Sequence, residues 1–473
     1  MAKTRATSGV DLHLELTGSR VRDGLERALR EAVQTGRLHP GVRLPSSRAL
    51  ATDLGIARNT VADAYNQLAA EGWLTARQGS GTRVASRPAG PAARVPAPAP
   101  PADARARYDL RAGVPDLSAF PRPAWLAAAR RALGAAPAAA FGYPEPAGAA
   151  ELRHALAGYL SRARGLRVTA DRIVICAGFV HGLAMLSQLL RARGAHTLAV
   201  EGFSQPLYRD IAVAAGLRVR PLPVDSGGAV TGRLGRADAV LLTPAHQFPL
   251  GVALTARRRT QAVEWALARG GLIIEDDYDG EYRYDRQPLG AMQALAPEHV
   301  VYAGTASKTL APGLRLGWLV LPAHLAGPVA DASAQAGPPV SGLEQLTLAE
   351  FITSGGYDRH IRRSRLVYRR RRDQLIRAID RNAAGAGLTG ISAGLHALLH
   401  LPAGHTEDQV CASAARRGLA VGGLAGYTTP AVTHPPALVV GYAGPPAHGY
   451  TAALARLCAA LSDSAPAASP GLG

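Results

Sequence analysis

Residues 86–107, SRPAGPAARVPAPAPPADARAR, are almost wholly proline, alanine, glycine and arginine, and a segment of that composition cannot bury a core. It reads as an extended, semi-rigid spacer reaching roughly 70 Å at about 3.1 Å per residue. The 473 residues are therefore divided before any element is assigned. A short unit is expected over residues 11–85 and a long one over residues 108–462, and residues 463–473, DSAPAASPGLG, read as a disordered tail. Apolar residues make up 47% of the chain and charged residues 19%, a composition that folds in water. The formal net charge of +18 favours a polyanionic partner but does not bear on fold, and an arginine-rich composition alone would produce it.

Cys176, Cys411 and Cys458 are odd in number and widely spaced, with no CxxC or Cys/His ligand pattern. This argues against a disulfide framework and against a zinc site, and no metal is expected. The sequence MAKTRATSGVDLHLEL has no apolar leader core, and no run of about 18 apolar residues follows. A cytoplasmic, reduced protein is the expectation.

In the short unit, Val21, Leu25, Leu29 and Val33 recur on one face of a helix that Gly36 ends. A second helix runs through SRALATDL to Gly55, and a third begins near Ala57, turning Val61, Tyr65 and Leu68 inward before Gly72. Residues 73–77 and 82–84 then read as two strands around Gln78, Gly79, Ser80 and Gly81. Helix, helix, helix and hairpin is the winged helix-turn-helix order. The third helix opens with Arg58, Asn59 and Thr60, whose polar groups suit base edges and phosphates. The second opens beside Ser46, Ser47 and Arg48, where free backbone N–H groups and a guanidinium suit a phosphate. A three-helix packing module with solvated arginines is the alternative that this pattern leaves open.

In the long unit, apolar runs alternate with helical patterns, as an α/β domain requires. The run GGLIIEDDYD is an apolar strand from Gly271 to Glu275 that ends in carboxylates, where α/β folds gather their ligands. Further on, VYAGTASKTLAPGLRLGW sets Lys308 after a small-residue turn, with Arg315 seven positions later. Pyridoxal 5'-phosphate calls for these residue types. A lysine amine forms the imine, a carboxylate keeps the pyridine nitrogen protonated, a tyrosine hydroxyl bonds the ring oxygen, and an arginine with hydroxyls and N–H groups clamps the phosphate. Lys308, Asp276, Tyr278, Arg315, Thr305 and Ser307 supply them.

GRLHPGVRLPSSRALATDLGIARNTVADAYNQLAAEGWLTARQGSGTRV closely resembles the GntR-type winged-helix domain. That resemblance implies operator contacts from Ser47 and Arg48, from Arg58, Asn59 and Thr60, and from Gln78, Gly79 and Ser80, with Arg43 a further phosphate contact. Ala57 stands where a capping serine is common, a loss of about 1 kcal/mol in the helix N-cap. Residues 108–461 resemble the fold-type I aminotransferases, with a large α/β domain and a small C-terminal α/β subdomain. The match is with their regulatory branch called MocR, through FGYPEPAGAAELRHALAGYL, TPAHQFPLG, IIEDDYDGEYRY, SKTLAPGLRLGW and GGYDRHIRRSRLVYRRRRDQL.

The resemblance implies that Lys308 is the imine lysine, Asp276 the pyridine partner (Asp277 its neighbouring alternative) and Tyr278 the ring-oxygen partner. It implies a phosphate site of Arg315, Thr305 and Ser307 with the turn Gly178-Phe179, and a Tyr143 that reaches the phosphate of a neighbouring subunit in a homodimer. His246 and Gln247 fall where the family lines the ring face. Two departures stand out. Aminotransferases grip the substrate α-carboxylate with an arginine near the C-terminal strand, and ALVVGYAGP has none. Gln205 stands where an aromatic should stack on the ring, with Phe203 the nearest substitute.

Binding residues are thus present while those for turnover are depleted. The chain reads as a DNA-binding regulator whose operator affinity responds to pyridoxal phosphate, alone or as an aldimine with an amine effector, in vitamin B6 or amine metabolism. The alternatives are an active aminotransferase with an appended DNA-binding domain and a DNA-binding protein whose large domain serves only to dimerise. The run RHIRRSRLVYRRRRDQL is either a second nucleic-acid patch or a solvated helix with Ile361, Leu366, Tyr368 and Leu375 turned inward.

Overall fold

The computed structural model describes residues 21–77, 81–85, 106–285, 290–336, 340–429 and 432–463. Most of the expected spacer, the hairpin tip Gln78-Gly79-Ser80 and residues 464–473 lie outside that set, while Asp463 closes the last helix. The chain divides into two compact units on either side of the proline-rich segment.

The first unit contains helices α1 (Val21–Gln34), α2 (Ser47–Leu54) and α3 (Arg58–Ala70), then the antiparallel strands β1 (Leu74–Arg77) and β2 (Gly81–Val84). Leu25, Leu29, Leu50, Val61, Tyr65, Leu68, Leu74 and Val84 form one core. Val21, expected inward, is 48% exposed at the first position of the helix, one turn ahead of the buried Leu25. Ser46 caps α2 by accepting the N–H of Ala49, and Gly55 ends it in the left-handed conformation. Ala57 offers α3 no side-chain cap.

In the second unit, α4 (Arg122–Ala135) and α5 (Ala150–Arg164) follow a short strand β3 (Tyr108–Asp109). Then come β4 (Ile173–Cys176), α6 (Phe179–Ala192), β5 (Thr197–Glu201), α7 (Pro206–Ala214), β6 (Arg218–Leu222), the hairpin β7 (Val224–Asp225) and β8 (Gly228–Ala229), β9 (Ala239–Leu242) and α8 (Ala256–Arg269). β10 (Leu272–Asp276), β11 (Val300–Thr305) and β12 (Gly317–Val320) complete a seven-stranded sheet of order β4-β12-β11-β10-β9-β5-β6, in which β12 alone runs antiparallel to its neighbours. Its strands are apolar almost throughout because both faces are covered. Ile173 and Ile175 face α5 and α10 (Gly342–Thr353), while Val174 and Cys176 face α6 and α9 (Ala323–Ala336).

The small subdomain pairs α11 (Gly356–Asn382), α12 (Glu407–Arg416) and α13 (Tyr450–Asp463) with a four-stranded antiparallel sheet. That sheet contains β13 (Gly387–Thr389), β14 (His396–His400), β16 (Gly422–Gly423) and β17 (Ala437–Gly441). β15 (Leu419–Ala420) pairs instead with β3.

α11 carries the basic run, and its buried stripe is Ile361, Ser364, Tyr368, Arg371, Leu375 and Ile379. Leu366, expected inward, is 59% exposed. It stands five residues after Ile361, and five steps of about 100° turn it to the far side of the helix. Arg371 lies within the stripe, its Nη2 2.8 Å from the Asp116 carboxylate and its Nη1 donating to the Ala443 carbonyl. Tyr368→Ala is expected to destabilise the protein by about 3 kcal/mol or more, and Leu366→Ala by less than about 0.5 kcal/mol. Urea titration of the two variants checks the assignment of faces, and equal losses would contradict it.

Candidate functional site

The C-terminal ends of the parallel strands bring the chemistry together. β10 ends at Asp276, β5 at Glu201 and β11 at Thr305, just ahead of Lys308. Lys308, Asp276, Tyr278, Glu201, Gln205 and Tyr208 all line one cavity, with Phe248, Leu395 and His396 closing it. The Lys308 amine donates to the Gly113 carbonyl at 2.5 Å. Burial holds its pKa below the usual lysine range, with Asp276 and Asp279 pulling it back up. A larger fraction of the amine is therefore uncharged, the form that attacks an aldehyde. Burial also lifts Asp276 to about 8, against the opposing pull of Lys308, and Tyr208 donates to it at 3.3 Å.

Adjacent residues at a strand end face opposite ways, and this separates the two candidate carboxylates. Asp277 is gripped by Arg164 through two bonds of 2.7 and 2.9 Å and accepts a third from Tyr302 at 2.8 Å. These partners hold it in the interior, and Asp276 is the carboxylate that lines the cavity.

Strand register sets the neighbouring cradle: Thr305 pairs with Gly317, and Gly317 with Cys176. Just past these ends lie Ser307, Arg315, and Gly178 with Phe179 at the N-terminus of α6. A side chain at Gly317 would meet the Gly178 backbone at 2.7 Å, so glycine is required for the two segments to touch. Thr305 Oγ1 accepts the Ser307 N–H at 3.1 Å. Arg315 is exposed and holds a left-handed backbone with φ 53°. Among the described residues it has no hydrogen-bond or ion-pair partner. An uncapped helix N-terminus, two hydroxyls and a free guanidinium suit a phosphate. The donor set therefore fits pyridoxal phosphate: amine, acid and phosphate cradle stand at one end of one sheet, and Asp276 lacks only the cationic partner that a protonated pyridine would provide.

Three expected positions fall elsewhere. His246 stands one layer behind the cavity, its Nδ1 donating to Asp279 at 2.9 Å while the Tyr278 hydroxyl donates to its carbonyl. Gln247 is a structural clamp whose amide donates to the Phe203 and Phe248 carbonyls. The wall at this point is His396, delivered by β14 and stacked 4.8 Å from His246. Phe203 packs with Leu398, Leu424 and Val439, away from the cavity, so it does not replace the missing ring-stacking aromatic. Tyr208 lines the cavity, as do Tyr278 and Phe248, and Phe179 is edge-on to Tyr208 at 4.9 Å. Tyr143 is 97% exposed and touches nothing of its own cavity.

Sequence reasoning missed Glu201, His396 and Gly113. Glu201 carried the same signal as Asp276, a carboxylate ending an apolar strand in TLAVE. Burial raises it to about 7, and Thr243 bonds it at 2.6 Å. His396 and Gly113 come from distant segments with no local signature.

In the first unit, Arg58 and Asn59 are exposed and Thr60 half-buried at the start of α3, opposite its buried face. Arg43 and Arg48 are exposed and Ser47 half-buried at the first turn of α2. Arg43 bridges to Arg83 of β2, so the hairpin and the second helix present guanidinium groups from one framework.

Residues 22–84 match the family of bacterial regulatory proteins called gntR, and residues 108–456 match aminotransferase class I and II. The HTH-type pyridoxine biosynthesis transcriptional regulator PdxR of Corynebacterium glutamicum is 36% identical over 414 residues, covering 85% of this chain and 88% of that protein. The probable rhizopine catabolism regulatory protein MocR of Rhizobium meliloti is 32% identical over 384 residues, 76% of this chain and 77% of that one. A kynurenine aminotransferase structure from Pyrococcus horikoshii superposes with a TM-score of 0.69 at 21% identity, over 77% of this chain and 93% of its own, a likeness of fold.

The state of Asp276 has a measurable consequence. With its pKa near 8 in the fold and about 3.9 in the unfolded chain, the folded protein holds a proton across that interval that the unfolded chain has released. Stability is therefore lost as pH rises through the window. Asp276→Asn is expected to flatten part of that loss in the cofactor-free protein, by an amount on the order of a few kcal/mol. Glu201, Glu275 and Glu281, each lifted to about 7 by burial, retain the rest. Denaturant midpoints between pH 5 and pH 9 read the difference, and parallel curves for both proteins would contradict it.

Proposed function

Because the chain belongs to the MocR-type regulators, a GntR winged helix fused to an aminotransferase class I and II domain, we propose that its hold on an operator responds to pyridoxal 5'-phosphate bound at Lys308. One observation carries the reading. A half-buried lysine of depressed basicity and a buried aspartate share a cavity, on the same polypeptide as an exposed reading helix. When bound, the cofactor supplies an aldehyde that couples reversibly to amines and a ring that draws electrons from them.

The chain's own groups act on it in distinct ways. Lys308 would supply the nucleophilic nitrogen, Asp276 as a carboxylate would pair with the protonated ring nitrogen, and Tyr278 would bond the ring oxygen. Arg315, Thr305, Ser307 and the N–H groups after Gly178 would hold the phosphate. Arg58, Asn59 and Thr60 read bases, while Ser47, Arg48 and Arg43 fix the backbone, with Gln78, Gly79 and Ser80 at the wing tip. The unit is a homodimer in which Tyr143 completes the partner's phosphate site. Its near-total exposure, beside Phe141 at 58% and Leu126 at 59%, supports that arrangement. No helix among the described residues is long and apolar enough to cross a membrane, and the reading places the protein with DNA in the cytoplasm.

Sensing is favoured over turnover because β17 is buried and apolar from Ala437 through Val440, where aminotransferases carry their carboxylate-gripping arginine. Among the described residues the cavity lining contains no guanidinium: its charged groups are Lys308, Asp276 and Glu201. Amines without a carboxylate are therefore its ligands. Relatives named for pyridoxine biosynthesis and rhizopine catabolism point to vitamin B6 or amine metabolism as the regulated process.

Purified protein is expected to show a visible absorption band that Lys308→Ala abolishes. The cofactor should change the affinity of the wild type, but not the variant, for its operator by about 5- to 150-fold. Unchanged gel shifts from zero to saturating cofactor would refute the sensing function. Simple alkylamines should perturb the band at concentrations about 10-fold below those of amino acids of equal length, since a carboxylate gains no charged hydrogen bond. The reverse order would contradict the ligand class.

A further inference from the structure

The net positive charge is not spread evenly. α11 holds ten arginines and three aspartates in its 27 residues GYDRHIRRSRLVYRRRRDQLIRAIDRN. Arg371 is the buried member, tied to Asp116, and Arg365 donates to the Glu281 carbonyl. Seven others, Arg359, Arg362, Arg363, Arg369, Arg370, Arg377 and Arg381, are exposed. Their spacing of three, four and seven residues sets them along the face opposite the buried stripe. Only Arg359 among the seven has a bond within the described residues, to the Ser354 carbonyl.

Elsewhere on this unit guanidinium groups find carboxylates, as in Arg131–Glu350, Arg153–Glu145, Arg172–Glu298 and Arg258–Asp225. Unpaired arginines such as Arg218, Arg233, Arg257 and Arg269 also occur there, but they are spread over β6, the turn Thr231–Arg233 and the two ends of α8. On α11 the one acid in the first turn, Asp358, is already taken by Arg162. A groove between α5 and α11 brings Arg362 and Arg365 together with Arg162, which is paired with Asp358, and with Glu281.

We propose that the outward face of α11 is a second duplex-DNA contact, binding the phosphate backbone without reading sequence. The helix is about 40 Å long at about 1.5 Å per residue, and its other face is anchored along that length in two of the unit's hydrophobic clusters. A duplex carries one phosphate charge per about 1.7 Å of axis, so a rigid line of guanidinium groups meets several phosphates at once and releases their counterions. The face has no aromatic side chain for stacking unpaired bases, which favours a duplex over a single strand. The inference rests on the chain being a DNA-binding regulator. It gives the second unit a direct share of affinity in addition to its ligand site.

The test compares full-length wild type with R362A/R363A/R369A/R370A and with the equal-charge control R218A/R233A/R257A/R269A, on a duplex of about 60 base pairs across a salt series. Each arginine–phosphate contact contributes about 0.9 to the slope of log affinity against log salt. The α11 variant should lose about 3 from that slope and the control less than about 1. Circular dichroism and the visible band report intact folding for both. Equal slopes in all three proteins, or equal losses in both variants, would overturn the proposal while leaving the winged-helix reading standing. No DNA binding by the wild type would instead defeat that underlying reading. A loss of poly-glutamate binding by the α11 variant with its DNA slope unchanged would overturn it in favour of an acidic protein partner.

Discussion

The buried pair of Arg164 and Asp277 is the constraint on which the site is built. Arg164 ends α5, and its guanidinium reaches through the core to a carboxylate immediately after β10. A buried charge left alone costs several kcal/mol, so each partner fixes the other, and Tyr302 and the Gly280 carbonyl satisfy the remaining positions. By locking Asp277 inward, the pair fixes the backbone at the strand end and leaves Asp276 turned to the opposite side. Without that lock two adjacent aspartates would compete for one role. With it, one is structural and the other is available to a ligand.

The same separation explains how much was legible in sequence. Lys308, Asp276 and Tyr278 announced themselves because a strand-end carboxylate and a lysine in a small-residue turn are local patterns, and local patterns survive without a structure. The choice between Asp276 and Asp277 was not local: it is made by Arg164, 113 positions earlier. The place of His246 is not local either: β14, 150 residues later, brings His396 to the cavity wall 4.8 Å from its ring. Glu201, by contrast, carries the same local pattern as Asp276, a carboxylate at the end of an apolar strand.

The helical zones show the complementary limit. The order of helix, turn and hairpin in the first unit followed from apolar spacing and glycine stops, since each element there is amphipathic by itself. In α11 the pattern gave the helix but not its faces in full. Leu366 is apolar and exposed because its position turns it away from the stripe, while Arg371 is charged and buried because Asp116 meets it there. Hydrophobic periodicity locates a buried stripe, but it does not foresee an arginine whose charge is answered by Asp116 from 255 positions away.

The apolar character of β17 reaches beyond the present ligand. Every residue from Ala437 to Val440 is fully enclosed, and Val439 belongs to a cluster with Phe203, Leu398 and Leu424. Installing a guanidinium there would require displacing several side chains together, so the chemistry of this strand cannot be altered one residue at a time without a cost in core packing.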